Sequence, residues 1–260
     1  MNIYPRGESI NQKKVVKFGI DPTGNRLHLG HFVSIRFLWK MIEEHRDVVV
    51  VLGTQTGLIG DPSGTVKERE KVSRDIIFSN ANELEKQIKK LLPLARIVRN
   101  HEIFETFGVS GFISALGEFT INKLQDRAAL QNRNARIDEF VVPVLQALDS
   151  VFLGAEIEVG GEDQEFNFSI TRELQRLWKQ TPETCVLIPI IRGTDGRKMS
   201  KSLGNCVYLD DGDIHGKIMS IPDDVMDEWL PLLTDTKDYP SHPKERKEFL
   251  SAEVVKLIHQ

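Results

Sequence analysis

Apolar residues along the chain fall into two kinds of run. The first kind is short and bounded by turn residues: Val15–Ile20, Val48–Leu52, Ala95–Val98, Ala155–Val159 and Val186–Ile191. Runs of this length, rich in branched residues, predict strands, and the unbroken Val48–Leu52 suits a parallel sheet covered on both faces. The second kind recurs with a helical period. Leu29–Glu44 places Phe32, Ile35, Leu38, Trp39 and Ile42 on a stripe, and residues 66–92 do the same with Leu84, Ile88, Leu91 and Leu92. Residues 103–155 read as mostly helical, and Pro243–Gln260 as a last helix. Strand, helix and strand in that order form a βαβ unit, and their alternation predicts an α/β domain with a doubly wound parallel sheet.

In such a sheet, ligands sit beyond the carboxyl ends of the strands. Three polar, glycine-rich segments follow predicted strands: DPTGNRLHLGH, GTQTGLIGDPSG and GGEDQ. They are expected to converge on one pocket.

Composition changes this picture little. The chain has 260 residues, 40% apolar and 28% charged, which is ordinary for a soluble globular protein. Its net charge of −4 removes the strongly basic balance of many nucleic-acid binders, while leaving room for a local basic patch. Lys86, Lys89, Lys90, Arg96 and Arg99 gather in sequence, and read as a solvated helix face rather than as such a patch. Two cysteines, Cys185 and Cys206, are too few for a disulfide framework or a zinc site, and read as free thiols. The start has no apolar signal segment, and no run is long enough to span a membrane, so a cytoplasmic protein is expected.

Two motifs carry candidate chemistry. His28 and His31 open the first helix three residues apart, so they share a face where backbone N–H groups and the dipole favour anions. Gly30 between them would let a flat group approach the backbone, and the set suits a triphosphate. A packing and capping pair would look the same, and a metal reading lacks a third ligand. The second motif, Arg197-Lys198-Met199-Ser200-Lys201-Ser202, puts two ammonium groups and two hydroxyls in a loop ended by Gly204. It suits a pyrophosphate whose charge shifts during reaction, or is simply an exposed basic turn.

HLGH at 28–31 and KMSKS at 198–202 together resemble the two signatures of the class I aminoacyl-tRNA synthetases. Within that class, Thr56-Gly-Leu-Ile-Gly-Asp61-Pro-Ser-Gly64, Phe119-Thr-Ile-Asn-Lys123, Gly160-Gly-Glu-Asp163-Gln164, Phe166-Asn167 and Arg172-Glu-Leu174 resemble the tyrosyl enzymes of the bacterial KMSKS-type branch. The resemblance implies a Rossmann-like fold, an aminoacyl-adenylate intermediate, ATP with Mg2+ bound to it, tyrosine, and the acceptor end of tRNA. It implies that His28, His31, Lys198 and Lys201 are catalytic. Asp21, Thr23, Gly30, Gly161, Asp163, Met199 and Ser202 would bind ATP. Lys17, Asp61, Gln146, Asp149 and Gln164 would bind the amino acid, with Asp149 facing the phenol.

The residues agree with these roles. Gln146 and Asp149 are three apart in a helical segment beside Leu145 and Leu148, so an amide and a carboxylate share one face. That face can read an ammonium and a hydroxyl, or can be merely solvated. For Asp61 the alternative is a DPSG turn. The substrate carboxylate is already a nucleophile, so no side chain need act as a strong base, and positioning with electrostatic stabilisation suffices.

Departures from the tyrosyl pattern are Val142 and Leu148 in place of tyrosines and Glu162 in place of a small residue. GEDQ and PVLQALD also resemble the tryptophanyl enzymes. An adenylate-forming paralogue with another amino acid or a non-tRNA acceptor, and a silent binding protein, are the alternatives. The intact lysines of KMSKS speak against the silent one. The expected organisation is a catalytic domain over 1–195 with a helical insertion at about 103–140, then the KMSKS loop and a helical segment over 196–260, without a C-terminal RNA-binding domain. Apolar Phe107, Val109, Phe112, Ile113, Leu116 and Phe119 resemble a dimer-forming face, so a homodimer is expected.

Overall fold

The short apolar runs become the strands of one six-stranded sheet in the computed structural model, which describes residues 1–60, 72–125 and 136–259. In chain order the strands are β1 (Asn2–Tyr4), β2 (Val15–Ile20), β3 (Asp47–Leu52), β4 (Arg96–Arg99), β5 (Ile157–Gly161) and β6 (Thr184–Ile188). Their spatial order is β1-β6-β5-β2-β3-β4, parallel throughout except for the β1–β6 pair. The order steps outward from β2 in both directions, as a doubly wound sheet requires. β3 is buried along its length after Asp47, as its uninterrupted valines predict.

The strand bounds shift against the apolar runs: β3 starts one residue earlier, β4 lies one residue and β5 two residues later, and β6 and β1 differ more. β6 starts earlier, at Thr184, and ends before Pro189, which has no N–H for the ladder. β1 was not anticipated, because three residues show no periodicity. It pairs with β6 in the register Ile3↔Val186.

The helices are α1 (Leu29–Glu43), α2 (Thr56–Ile59), α3 (Arg74–Leu91), α4 (Asn100–Gly117), α5 (Ile121–Gln125), α6 (Ile137–Leu153), α7 (Glu165–Leu177), α8 (Ile214–Met219), α9 (Asp223–Leu233) and α10 (Pro243–Ile258). Helix α3 starts at Ser73, whose hydroxyl caps Ile76 N–H, and buries Ile77, Ala81, Leu84 and Ile88. Helix α4 is kinked at Gly108, whose φ of 61° suits only glycine comfortably. Of the expected insertion, residues 126–135 lie outside the described residues; 103–117, 121–125 and 137–140 are helical.

The chain forms two compact units: Met1–Asn25 with Leu38–Ile188, and Arg26–Phe37 with Pro189–Gln260. The division falls at Pro189 rather than near 195. It also assigns Arg26–Phe37 to the second unit, for a backbone reason: Leu29 N–H donates to Val207 O at 2.9 Å, and Leu209 N–H to Leu27 O at 2.9 Å. The first unit holds the whole sheet and α2–α7. The second packs α8, α9 and α10 around Trp229, Leu230, Leu233, Leu250 and Val254, all buried. Trp229 keeps its indole N–H satisfied on Arg192 O at 3.0 Å. Among the described residues no helix is long and apolar enough to cross a membrane.

Candidate active site

In the second unit the two motifs share one neighbourhood. Strand-like pairing of 27–29 with 207–209 carries the start of α1 to the segment that follows the KMSKS loop. Arg26 reinforces it, stacking on Tyr208 at 4.1 Å and pairing with Asp210 and Asp211. His28 and His31 stack with ring centroids 3.9 Å apart. Gly30 N–H donates to His28 Nδ1 at 3.1 Å, and His28 N–H donates to His31 Nδ1 at 3.2 Å.

A ring nitrogen that accepts carries no proton, so each neutral imidazole keeps its hydrogen on Nε2. Both rings are neutral at physiological pH. Burial, helped by the nearby Lys201 charge, pulls His28 down to about 4. Burial, then His28 and Lys201, hold His31 well below its ordinary value. The helix start therefore presents two neutral Nε2–H donors beside a lysine, a set suited to phosphate oxygens.

The loop itself is held at its base. Asn205 Oδ1 accepts from Ser200 N–H at 2.8 Å, and its Nδ2 donates to Asp195 Oδ1 at 2.7 Å and to Lys198 O at 3.1 Å. Lys198 and Ser202 are exposed and Lys201 is half-buried, on a turn over Lys201–Leu203. Two expectations change here. The Met199 side chain is buried, and its N–H donates to Ile191 O, so it anchors the loop from below. The flat group against Gly30 is the His28 ring itself: a Cβ there would lie 2.9 Å from His28 Cε1.

The first unit gathers the remaining expected residues at the ends of its central strands. Asp21 follows β2; its Oδ1 accepts from Thr56 Oγ1 at 2.6 Å, and its carbonyl from Thr23 N–H. Gly161 ends β5, and Asp163 and Gln164 follow in a single 3-10 turn. Asp149 and Gln146 lie on α6. Asp149 is 4% exposed; its Oδ2 accepts from Asn100 Nδ2 at 3.3 Å, and its Oδ1 is buried without a hydrogen-bond partner among the described residues. Burial pushes this carboxyl up to about 7, against the opposing charge of Lys17 and the Asn100 hydrogen bond. A buried acceptor left open is costly, so it marks a place where a ligand donor belongs. Asp61 lies outside the described residues.

Lys17 has a different surrounding from the direct ligand contact expected of it. Its ammonium donates to Gln146 O at 3.0 Å and Ser150 Oγ at 2.6 Å and pairs with Glu158 Oε1 at 2.9 Å, which uses all three donors. Glu158, Asn100 and Asn167 were not among the expected site residues. The signal available was a charge inside an apolar strand run, Lys17 in VVKFGI and Glu158 in IEVGG. The basic run on α3 and β4 is a solvated, mixed-charge face: Lys86 pairs with Glu83, Lys89 and Arg99 with Glu85, and Arg96 with Asp47. Both cysteines are free and buried.

Residues 9–260 match the family model described as tRNA synthetases class I (W and Y). A tyrosine--tRNA ligase of Aquifex aeolicus is 38% identical over 94% of this chain and 67% of its own length. That of Geobacter sulfurreducens is 37% identical over 94% of this chain and 66% of its own length. The chain thus spans about two thirds of the length of these curated relatives. Among solved structures, the tyrosyl-tRNA synthetase of Archaeoglobus fulgidus, complexed with L-tyrosine, has a TM-score of 0.76 at 21% identity, covering 96% of this chain and 89% of that one. The tryptophanyl-tRNA synthetase of Plasmodium falciparum has a TM-score of 0.75 at 17% identity, covering 96% and 76%. At these identities the two structures speak for the fold alone.

Proposed function

The chain belongs to the class I tRNA synthetases for tryptophan and tyrosine, and from that premise we propose that it activates tyrosine with ATP and passes it to the acceptor end of tRNA. In the first step the tyrosine carboxylate oxygen attacks the α-phosphorus. A P–O bond forms, the α–β bridge breaks, and pyrophosphate leaves with the electron pair. Tyrosyl-adenylate remains for transfer to tRNA.

The roles follow from chemistry. His28 and His31 offer Nε2–H donors to phosphate oxygens, and because both rings are neutral they donate without adding charge. Lys198 and Lys201 neutralise the departing pyrophosphate, Ser202 adds a hydroxyl, and Gly30 and Met199 serve this group by packing. Asp21, Thr23, Gly161 and Asp163 take the adenosine. Asp61, Gln146 and Gln164 take the amino-acid head group, and Asp149 takes the phenol. Mg2+ bound with ATP would supply neutralisation of phosphate charge. A cytoplasmic protein is the reading that suits work on tRNA, and the exposed Val109 and Ile113 on α4 support a homodimer.

The observation that carries the amino-acid assignment is the buried Asp149 Oδ1, which has no hydrogen-bond partner among the described residues. A phenol hydroxyl is a donor of the right kind, whereas phenylalanine would leave the acceptor open. A site built to bond a hydroxyl rejects the analogue lacking it by about 10⁴–10⁵. Pyrophosphate–ATP exchange across all twenty amino acids is the test. Tyrosine should win clearly over phenylalanine and tryptophan, and Asp149→Ala should erase its advantage over phenylalanine. Better exchange with phenylalanine or tryptophan by the unmodified protein would sink the assignment.

A further inference from the structure

Three ionisable side chains lie inside the first unit, where apolar ones would pack as well. Lys17 and Glu158 are each 1% exposed and Glu183 is 0% exposed. Lys17 and Glu158 are register partners on the neighbouring parallel strands β2 and β5. Exchanging a buried ion pair for apolar residues of similar volume is often neutral or stabilising, so stability alone does not account for the pair. Its partners suggest another role. Glu158 Oε1 accepts from Gln146 Nε2 at 2.9 Å, and Glu158 Oε2 from Ser150 Oγ at 3.2 Å. Gln146 Oε1 then accepts from Asn167 Nδ2 at 2.9 Å, and the same Nδ2 donates to Gln164 Oε1 at 2.7 Å.

We propose that the Lys17–Glu158 pair sets the hydrogen-bond polarity of the Gln146–Asn167–Gln164 amide relay, so that amide oxygens, not nitrogens, are offered to the α-ammonium of the amino-acid substrate. It rests on the reading above in that the substrate is tyrosine. A side-chain amide can turn over at little cost, exchanging donor for acceptor. An ionised carboxylate accepts only, so Gln146 must turn its nitrogen to Glu158 and its oxygen away. Asn167 must answer that oxygen with its own nitrogen, which leaves Asn167 Oδ1 as an acceptor. That oxygen is buried with no hydrogen-bond partner among the described residues. The relay thus collects Gln146 Oε1, Gln164 Oε1 and Asn167 Oδ1, and an ammonium brings three donors.

Glu183 completes the device. Burial, then the neighbouring Glu158 charge, hold its carboxyl far above the ordinary range, so it keeps its proton. For Glu158, burial is outweighed by the Lys17 charge, and the acid stays ionised. One fixed negative charge therefore faces the relay, balanced by Lys17. On this view Lys17 and Glu158 are positioning residues that do not touch the substrate.

The test is equilibrium binding, measured by calorimetry, of tyrosine and of 3-(4-hydroxyphenyl)propionate, which lacks the ammonium. The protein carries Lys17→Met/Glu158→Gln, a neutral pair that leaves no unmatched buried charge; Glu158→Gln alone is the second variant. Tyrosine should bind the double variant about ten- to hundredfold more weakly, with the deamino analogue almost unchanged. Unchanged tyrosine affinity, or equal weakening of both ligands, would overturn the proposal. So would a double variant that fails to fold where the unmodified protein is folded, because the pair would then be holding the fold. Binding is read without turnover, so absent exchange activity rejects the functional reading and leaves this one standing on its own result.

Discussion

Asp149 is held between two demands. Its carboxyl is buried on α6 with one donor, Asn100, on one oxygen and no hydrogen-bond partner among the described residues on the other. Burial raises it from the ordinary 3.8 to about 7. Between those two values the folded protein holds a proton that the unfolded chain has lost, so the group's contribution to stability falls as pH rises through that window and is fully lost above about 7. The loss is about 1.4 kcal/mol for each pH unit of the window. Asp149→Asn removes the titration while keeping the shape. Its melting temperature relative to the unmodified protein should therefore climb from pH 5 to pH 8. A gap that stays flat across that range would show that the carboxyl titrates normally. The same protonation state bears on binding, since the ionised form offers the stronger acceptor to a phenol.

At the scale of elements, the informative pair is the first turn of α1 and the KMSKS loop. The loop has no regular structure to hold it beyond one 3-10 turn, so Asn205 and the buried Met199 fix its base while Lys198 remains exposed and Lys201 half-buried. Lys201 lies close enough to depress both imidazoles. Lys201→Ala removes a positive charge, which makes an imidazolium easier to form. The His28 pKa should rise from about 4 towards its ordinary 6.5, followed by NMR titration of the ring protons. The same variant should lose about 10²–10³ in the rate of adenylate formation with tyrosine binding little changed. An unmoved His28 titration would mean that the lysine does not share the histidines' neighbourhood, and an unchanged single-turnover rate would remove its role in the reaction.

At the scale of the molecule, the apolar stretch of α4 and α5 divides into two sets. Phe104, Phe107, Phe112, Leu116 and Phe119 pack inward on a cluster that includes Val144, Leu148, Ile170 and Leu174. Val109 and Ile113, four residues apart and on one face, remain 79% and 58% exposed, and Ile121 is exposed as well. We read the outward set as the centre of a contact between two copies of the chain. Val109→Glu/Ile113→Glu should convert a dimer to a monomer in sedimentation at micromolar concentration, with little change in melting temperature, because neither side chain supports the inner cluster. A monomeric unmodified protein would remove this interface.

The amino-acid order alone determined the strands at 15–20 and 48–52, the helix from Leu29, and the motifs at 28–31 and 198–202. These are local matters: a branched apolar run can bury both faces only in a covered sheet, and a helical stripe needs only its own period. The same order left open whether the histidines cap, bind metal or donate to phosphate, and whether Gln146 and Asp149 are solvated. The burial of Asp149 comes from contacts far apart in sequence, whereas the imidazole tautomers are chosen by amides within the same turn. The pairing of 27–29 with 207–209 joins the two motifs. Lys17 and Glu158 look like isolated charges in apolar runs until the parallel register sets β2 beside β5. Pairing, burial and the resulting protonation states depend on which strands become neighbours, and that is decided when the whole sheet assembles.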